Sequence, residues 1–514
     1  LDSVEEVFTA LNREKLKMET DTLSLGNPLE WGDQEFTWLE GRISEWLDSD
    51  IRNLQIDGYA YYHGEQEIYN KTRTAIGADG DSSTLTNLPN HQICNNLTAY
   101  AIDQKSNYMF SKPTDISSDN DAYLNKLKLI FDEIFQRSFK QLGKDTIIGG
   151  VGWEYPTIKN NKLTFRTIKS YEILPFWKDE EKTEVEFAVR YYEYYTTTAE
   201  KRRMVDIFTE SGIFHYKWTG KLIPDEVPVE PYIKLKYLDE QSKVIYIPRS
   251  WGKVPLIPFR VNPSMTPFLS RVKCLQDAIN ELMSQHEDNL SEDARNTILI
   301  VTNYDGTDLN SFRKNLSEIG VVKVTTVDGV EGGVQALKVD VDSSSYEIVL
   351  KQLNKAFFLN ARCFDPDSDL MSSRPNETNI LQLYSSINLD ANDIESEVKA
   401  SFKSLKYFID EWFMAKGYGD FSDDNFEISL NRDIIIDESS RVDMMVKLAP
   451  YVSKHTFLRG LRFVIPNLNQ EIIWQKEEGI WTNTALEQEA TSRYGTDTRE
   501  QTDPSEDRSG EGSE

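Results

Sequence analysis

Long apolar runs are missing from this chain: no stretch approaches the ~18 residues of a membrane-spanning helix. Cysteine is scarce, with Cys94, Cys274 and Cys363 the only three among 514 residues. Their number is odd and no two are close in sequence, so neither a disulfide framework nor a zinc motif is indicated, and they read as reduced, mostly buried thiols. The five histidines, His63, His91, His215, His286 and His455, include no two at metal-ligand spacing. His286-Glu287 lacks the second histidine of a zincin. No Gly-x-x-x-x-Gly-Lys-Ser/Thr phosphate loop occurs. Gly149-Gly150-Val151-Gly152 lacks the lysine and the following helix, and reads as a backbone turn. No cofactor is expected. Positive charge is in deficit, 57 basic against 85 acidic residues for a net charge of -28. Tight, static binding of duplex DNA draws on Lys and Arg neutralising phosphates, so that class is disfavoured. Such a charge repels anions but leaves open DNA that slides past without sticking. The N-terminal LDSVEEVFTALNREKLK is charged throughout and is no signal peptide, which points to a cytosolic assembly site. The chain opens on Leu1, which leaves its true start open.

What is present is ample material for packed cores: 39 % hydrophobic and 11 % aromatic residues, in a length suited to about two to four domains. Residues 1–30 read as a short helix and a linker. From Trp31 an amphipathic helix is expected, with Phe36, Leu39, Ile43, Trp46 and Leu47 recurring every three or four residues. Further helices are expected over His91–Phe110, stopping ahead of Lys112-Pro113, and over Ala122–Ile148. From Trp153 to Pro258 the period shifts towards two, as in Val185–Tyr191 and Ile233–Tyr237, and an antiparallel, mainly β region follows.

The third region is organised differently. Phe268, Val272, Leu275, Ile279, Leu282, His286 and Leu290 mark an amphipathic helix over 268–294. A compact mixed segment follows, with strands expected at Thr297–Val301 and Val321–Val327 and a helix near Asp308–Ile319. A second helix is expected over 344–363, then a breaker-rich loop from Asp365 to Pro375, then a long helix from Glu377 to Ala415 with a possible interruption at Asn388–Asn392. Asp365, Asp367 and Asp369 alternate like the start of a calcium loop but lack its Gly and terminal Glu. Because the first two helices flank a small module, their ends must lie close and they should run antiparallel. The second is apolar on more than one face, at Ile348, Val349, Leu350, Leu353, Phe357, Phe358 and Leu359. One partner helix covers one stripe, so the surplus face calls either for a neighbouring copy of the chain or for burial within one large domain. Beyond it come a strand at Phe426–Leu430, helices near Glu438–Tyr451 and Leu468–Glu478, and an acidic tail unable to fold alone.

This order of elements resembles the portal proteins of tailed bacteriophages, in the branch common in siphovirus-type phages of Gram-positive bacteria. The wording agrees. Val261-Asn262-Pro263 through Leu269-Ser270-Arg271-Val272-Lys273-Cys274-Leu275-Gln276-Asp277-Ala278-Ile279-Asn280, continued by Ser284, resembles the family's stem entry. Tyr61-Tyr62-His63-Gly64 is similar to its "YY-x-G" signature. Leu88-Pro89-Asn90-His91, Asn95 and Ile102-Asp103-Gln104-Lys105 lead into Asn107–Pro113, close to its "NY-L-hydrophobic-G-KP". Pro366-Asp367 and Asn376-Glu377-Thr378 resemble its tunnel loop, although the usual Ser-Gly after the Asn is absent.

The resemblance implies an α+β portal fold. Its parts would be an N-terminal arm (1–30), a wing, helical then mainly β (31–266), a descending stem helix (267–294), and a small α/β clip (295–342). An ascending stem helix (343–364), a tunnel loop (365–376), a long wing helix and strand (377–437), a helical crown (438–486) and an acidic tail (487–514) would follow. It implies no enzymatic activity, a homo-oligomeric ring of typically twelve copies at the unique capsid vertex of the virion, and assembly in the host bacterial cytoplasm. Duplex DNA would pass without sequence specificity during packaging and ejection. The implied partners are the terminase large subunit, head-completion and adaptor proteins, and the major capsid and scaffolding proteins, with no membrane. The segment 268–294 carries six acidic and two basic residues. Asp277, Glu281 and Asp288 are therefore candidates for the channel wall, where negative charge repels phosphates. Asp365, Asp367, Asp369, Arg374 and Asn376 are candidates for the constriction, with Arg374 touching DNA or pairing with Asp367 or Asp369. Ile348, Leu353, Phe357 and Phe358 are candidates for the subunit interface. Two other readings stand: a capsid-associated adaptor or scaffolding protein that forms no ring, and a DNA-processing enzyme, whose clustered carboxylates and basic face are not visible.

Overall fold

The structure, a computed structural model, describes residues 31–76, 82–84, 89–159, 161–238, 244–293, 298–302, 333–337, 343–366 and 377–432, with a few positions between 442 and 460. The chain divides into two units, Leu1–Ile434 and Ile435–Glu514. Described positions of the second are few and include a 3-10 turn at Ala449–Tyr451. Most of the expected crown helices and all of the acidic tail lie outside the described residues, as do residues 1–30.

The described helices of the first unit are α1 (Asp33–Leu47), α2 (Asp50–Tyr62), α3 (Leu97–Phe110), α4 (Asp121–Ile130), α5 (Glu133–Gly149), α6 (Lys273–Asp293), α7 (Ser343–Ala361) and α8 (Glu377–Ala415). The strands are β1 (Thr74–Ile76), β2 (Ser82–Thr84), β3 (Asp115–Ser117), β4 (Val151–Lys159), β5 (Lys162–Ile168), β6 (Ile173–Trp177), β7 (Val185–Tyr195), β8 (Lys201–Phe208), β9 (Ile213–Trp218), β10 (Leu222–Glu230), β11 (Ile233–Leu238), β12 (Val244–Arg249), β13 (Ile257–Arg260), β14 (Ile298–Thr302), β15 (Gly333–Leu337) and β16 (Glu427–Ser429).

Strands β6 to β10 form an antiparallel meander, as the short connections require. Alternation along β7 and β8 gives the sheet two dry faces. Phe187, Val189, Val205 and Ile207 pack under α1, whose Leu39, Ile43 and Trp46 form the expected stripe. Val185, Ala188 and Phe208 point the other way, into the main core. That core joins α2, α3, α5 and α8 to the sheet β13-β4-β5. The long helix spans 39 residues and is not interrupted at Asn388–Asn392. It buries Ile394, Val398, Phe402, Leu405, Phe408 and Trp412 at steps of three or four residues, so one continuous stripe holds it. Phe402 sits among Phe139, Phe259, Phe135 and Phe131 at ring-centroid distances of 5.4, 5.4, 6.4 and 6.0 Å.

Three expectations need correction. The helix expected from His91 begins at Leu97, with Asn96 Oδ1 accepting from Ala99 N at 3.0 Å; residues 91–95 are committed elsewhere, as described below. The helix expected over Ala122–Ile148 is two helices, because Asp132 caps the second by accepting from Phe135 N at 2.9 Å. The strand β14 falls where one was expected, but it pairs with Gly333–Leu337, to which no strand had been assigned. The expected strand at 321–327 and helix at 308–319 lie outside the described residues.

Gly149-Gly150-Val151-Gly152 is the helix end and turn into β4. Gly150 adopts the left-handed conformation, φ 80°, and a Cβ there would lie 2.1 Å from the carbonyl oxygen of Met265. A few residues on, Glu154 in β4 is 1 % exposed. Thr167 Oγ1 donates to its Oε2 at 3.3 Å, and its Oε1 has no hydrogen-bond partner among the described residues. Burial pushes its carboxyl up to about 8. The protonated form is therefore the folded form at neutral pH.

Gly150→Ala is expected to cost about 2–4 kcal/mol, from left-handed strain and overlap with backbone, read in urea denaturation; a change below about 0.5 kcal/mol would contradict this packing. For Glu154 the unfolded carboxyl ionises first as pH rises. Stability should fall by up to about 1.4 kcal/mol per pH unit from the unfolded value to about 8 and then level off. Glu154→Gln should remove that slope and be the more stable protein at pH 8; denaturation midpoints across pH 5 to 9 test it.

Candidate functional site

The two legs run antiparallel. His286 near the end of α6 stacks on Tyr346 near the start of α7, ring centroids 3.7 Å apart. At the other end Arg271, just before α6, and Arg362, just after α7, meet on one carboxylate, Asp390 of α8. The first leg starts as a 3-10 turn over Phe268–Arg271 and becomes α-helical at Lys273.

One face of α6 is apolar; another is a column of polar groups four residues apart. Gln276, Asn280 and Ser284 are 0 % exposed and Asp288 is 3 % exposed. The segment 91–98 lies along them. His91 N donates to Asp288 Oδ1 at 2.6 Å, Ile93 N to Ser284 Oγ at 2.9 Å, Asn95 N to Asn280 Oδ1 at 2.9 Å, and Thr98 N to Gln276 Oε1 at 3.0 Å. The registration is geometric. Four helical residues rise about 6.0 Å, and two extended residues advance about 6.6 Å. Alternate N–H groups of a strand thus meet every fourth side chain of a helix. This is why His91 to Asn95 are extended rather than helical. Lys71 Nζ donates to the other oxygen of Asp288 at 2.8 Å. Burial alone would push the Asp288 carboxyl up, but the His91 N–H and Lys71 hold it below the usual carboxylate range.

The residues of the resemblance are the ones that make these joints. The Tyr61 hydroxyl donates to Asp277 Oδ1 at 2.6 Å. The Tyr62 hydroxyl donates to Asp103 at 2.9 Å and accepts from Lys144 at 2.7 Å. Gly64 turns the chain away at φ 85°. Gln104 makes a two-way pair with the backbone of Phe364, accepting from its N–H at 3.1 Å and donating to its carbonyl at 3.2 Å. Lys105, 2 % exposed, pairs with Asp390. Burial would push the Asp390 carboxyl up, and Lys105 and Arg271 pull it below its ordinary value. The end of the second leg, the start of the first and α8 are thus tied to α3 by one buried charge.

The nominated residues divide accordingly. Asp288 is no candidate for a channel wall, because both its oxygens are bound inside the chain and the side chain is buried. Asp277 is partly buried against Tyr61 and Lys273. Glu281 is exposed, accepting from Gln285 at 2.8 Å. Phe357 and Phe358, at 0 % and 5 % exposure, belong to the chain's own core and not to a surface. Leu353 packs partly against that core. Ile348 is 58 % exposed, and Val349 and Leu359, 44 % and 74 %, share its solvent side. Asp365 is half-buried. Asp367, Asp369, Arg374 and Asn376 lie outside the described residues. The reading of the sequence missed Gln276, Asn280, Ser284, Lys105 and Asp390 as joints; the four-residue spacing of polar groups on an otherwise amphipathic helix was the available signal.

Asn280 links its rung to two further groups: it also accepts from Gln276 Nε2 at 3.0 Å and donates to Gln66 Oε1 at 2.5 Å. Asn280→Ala should leave buried donors and an acceptor unpaired and cost about 2–4 kcal/mol, against about 1 kcal/mol or less for truncating exposed Glu281. Equal losses for the two in denaturant titrations would show that the rungs do not hold the leg.

Residues 48–479 match the family described as "Phage portal protein, SPP1 Gp6-like". The portal protein of Bacillus phage SPP1 is 24 % identical over 412 residues, 79 % of each chain. That of Clostridium phage phiCD119 is 23 % identical over 378 residues, 70 % of this chain and 80 % of the relative. Among solved structures, a chain of the virion of a native gene transfer agent particle aligns over 72 % of this chain and 89 % of its own at 11 % identity, with a TM-score of 0.37, too low to add to the assignment. With the family covering all the joints just described, the chain belongs to the SPP1 Gp6-like phage portal proteins and serves as a portal at the capsid vertex.

Proposed function

We propose that the chain works as a closed ring of about twelve copies related by cyclic symmetry, through which duplex DNA is packaged and ejected. The observation that carries this is the division of α7 into two apolar sides. At 100° per residue, Phe357 lies about 180° around the helix from Ile348, whereas Leu359 lies within about 20° of it. The Phe357 side is spent on the chain's own core, and the Ile348–Leu359 side is not. Leu290 on α6 adds a further exposed apolar group, at 47 %. Apolar side chains left open on two neighbouring legs fit the flank of a neighbouring copy. A head-to-tail contact closes a ring when its rotation divides a full turn.

In that reading α6 and α7 are the stem, the module carrying β14 and β15 is the clip, and residues 365–376 form the narrowest part of the channel. The helices and sheets of residues 31–266 with α8 are the wing, and residues 438–486 are the crown. The net charge of -28 supports passage over adhesion, since DNA neither finds a deep binding minimum nor loses its counterions to the wall. The chain has no chemical step of its own: the terminase large subunit supplies ATP hydrolysis and docks near the clip. Head-completion and adaptor proteins take that surface afterwards, and the wing faces the major capsid and scaffolding proteins. Assembly takes place in the host bacterial cytoplasm.

Native mass measurement and projection images test the ring. The parent should give a single closed oligomer. Ile348→Asp with Leu359→Asp should lower the ring fraction at least tenfold while leaving a folded monomer, because neither residue is in the core. A parent that stays monomeric under assembly conditions would sink the ring and leave the non-ring adaptor reading.

A further inference from the structure

Asp390 has more cationic partners than one carboxylate needs. Lys105 Nζ pairs with its Oδ2 in a buried contact, which by itself neutralises the acid. Its Oδ1 is shared by Arg271 Nη1 at 3.2 Å and Arg362 Nη1 at 2.9 Å. Two positive charges are therefore in excess, in a chain whose net charge is strongly negative. Each guanidinium spends a single nitrogen here. Among the described residues, Nε and Nη2 of both arginines have no other hydrogen bond. Two guanidinium groups thus converge on one carboxylate oxygen, each through one nitrogen. The side chains are 24 % and 49 % exposed, so both are partly open to solvent.

The backbone of Arg362 points the same way. It follows the last residue of α7, with Cys363 N donating to Phe358 O at 3.0 Å and Arg362 N to Leu359 O at 3.2 Å. That is the helix ending in which glycine is usual, since the residue must be left-handed. Arg362 sits at φ 53° instead. A strained, non-glycine residue kept where glycine is easier is the kind of outlier that accompanies a working side chain. It stands three residues ahead of Asp365, and Asp390 lies on α8, which begins at Glu377.

We propose that Arg271 and Arg362 form a clamp for a phosphate-type oxyanion, and that in the working ring the anion is a backbone phosphate of the duplex in transit. The inference rests on the portal reading. Arginine forks match phosphate oxygens two at a time, which a lysine does not. Asp390 has two effects: it holds the two guanidinium groups together, and its charge weakens the grip, so a phosphate is held briefly and released. The acidic stem surface repels the duplex, and this clamp gives each copy a place to check its slippage.

The test uses assembled rings of the full chain, titrated with inorganic phosphate against chloride at matched ionic strength, with melting temperature as the readout. Parent rings should show a saturable, phosphate-specific rise. Arg362→Gln and Arg271→Gln should each weaken the apparent phosphate affinity at least tenfold, and Arg362→Lys, which keeps the charge without the fork, should recover it only in part. In particles filled with DNA, the two glutamine variants should lose packaged DNA several-fold faster than the parent. Absence of a phosphate-specific rise in the parent, or an undiminished one in Arg362→Gln rings, overturns the clamp. A weakened phosphate response with unchanged DNA retention overturns the duplex as the source of the anion and leaves a free ion in the site. Rings that form and ignore phosphate count against the clamp alone, whereas failure to form rings counts against the portal reading. If either glutamine variant does not assemble, Arg362→Lys rings carry the comparison.

Discussion

Gln276, Asn280, Ser284 and Asp288 are polar, stand on one face of one helix, and are almost wholly removed from water. Each must be partnered or cost the chain its desolvation. The partners are backbone N–H groups of a segment nearly two hundred residues earlier, which is drawn straight to meet them. That constraint propagates. It delays the start of α3 to Leu97, sets where α3 lies against α6, and so decides which of its side chains reach α8. Lys105 then finds Asp390, and Gln104 finds the backbone just beyond α7. A helix with a purely apolar inner face would hold by area alone and slide; a rung every fourth residue defines both axial position and rotation.

The charges work at two levels. Over the whole chain the excess of acid governs solubility and the approach of a polyanion, at distances set by screening. At Asp390 and Asp288 the same residue type is buried, paired and structural. A buried pair of this kind adds little net stability compared with an apolar substitute, but breaking it is costly. Its use here is positional, since Asp390 binds groups from the first leg, the second leg and α3 on a single side chain. The ends of α6 and α7 and the body of α8 are thereby fastened together on either side of residues 365–376.

Local pattern was sufficient wherever one element buries one stripe. The period of 3.6 placed α1, α7 and α8, and the period of 2 placed the meander, because in each case burial follows from the chain's own repeat. The length of α8 was legible for the same reason. The sequence also determined the absence of a phosphate loop and the overall charge, which need no folding to be true, and the order of motifs that identifies the family.

Only the tertiary structure decided the rest, because it depends on groups far apart in the chain. Nothing local distinguishes Asp288, tied to Lys71 and His91, from exposed Glu281 two turns earlier and only about 20° around the helix. Phe357 and Phe358 look as available for a neighbour as Leu359 does; which side of α7 is spent at home depends on the helices packed against it. The extended run at 91–95 has a helical sequence and loses that conformation to three distant side chains, Asp288, Ser284 and Asn280. Sequence determines which faces are apolar and which residues carry charge. Tertiary structure decides which of those groups are already satisfied, and therefore which remain free for a partner.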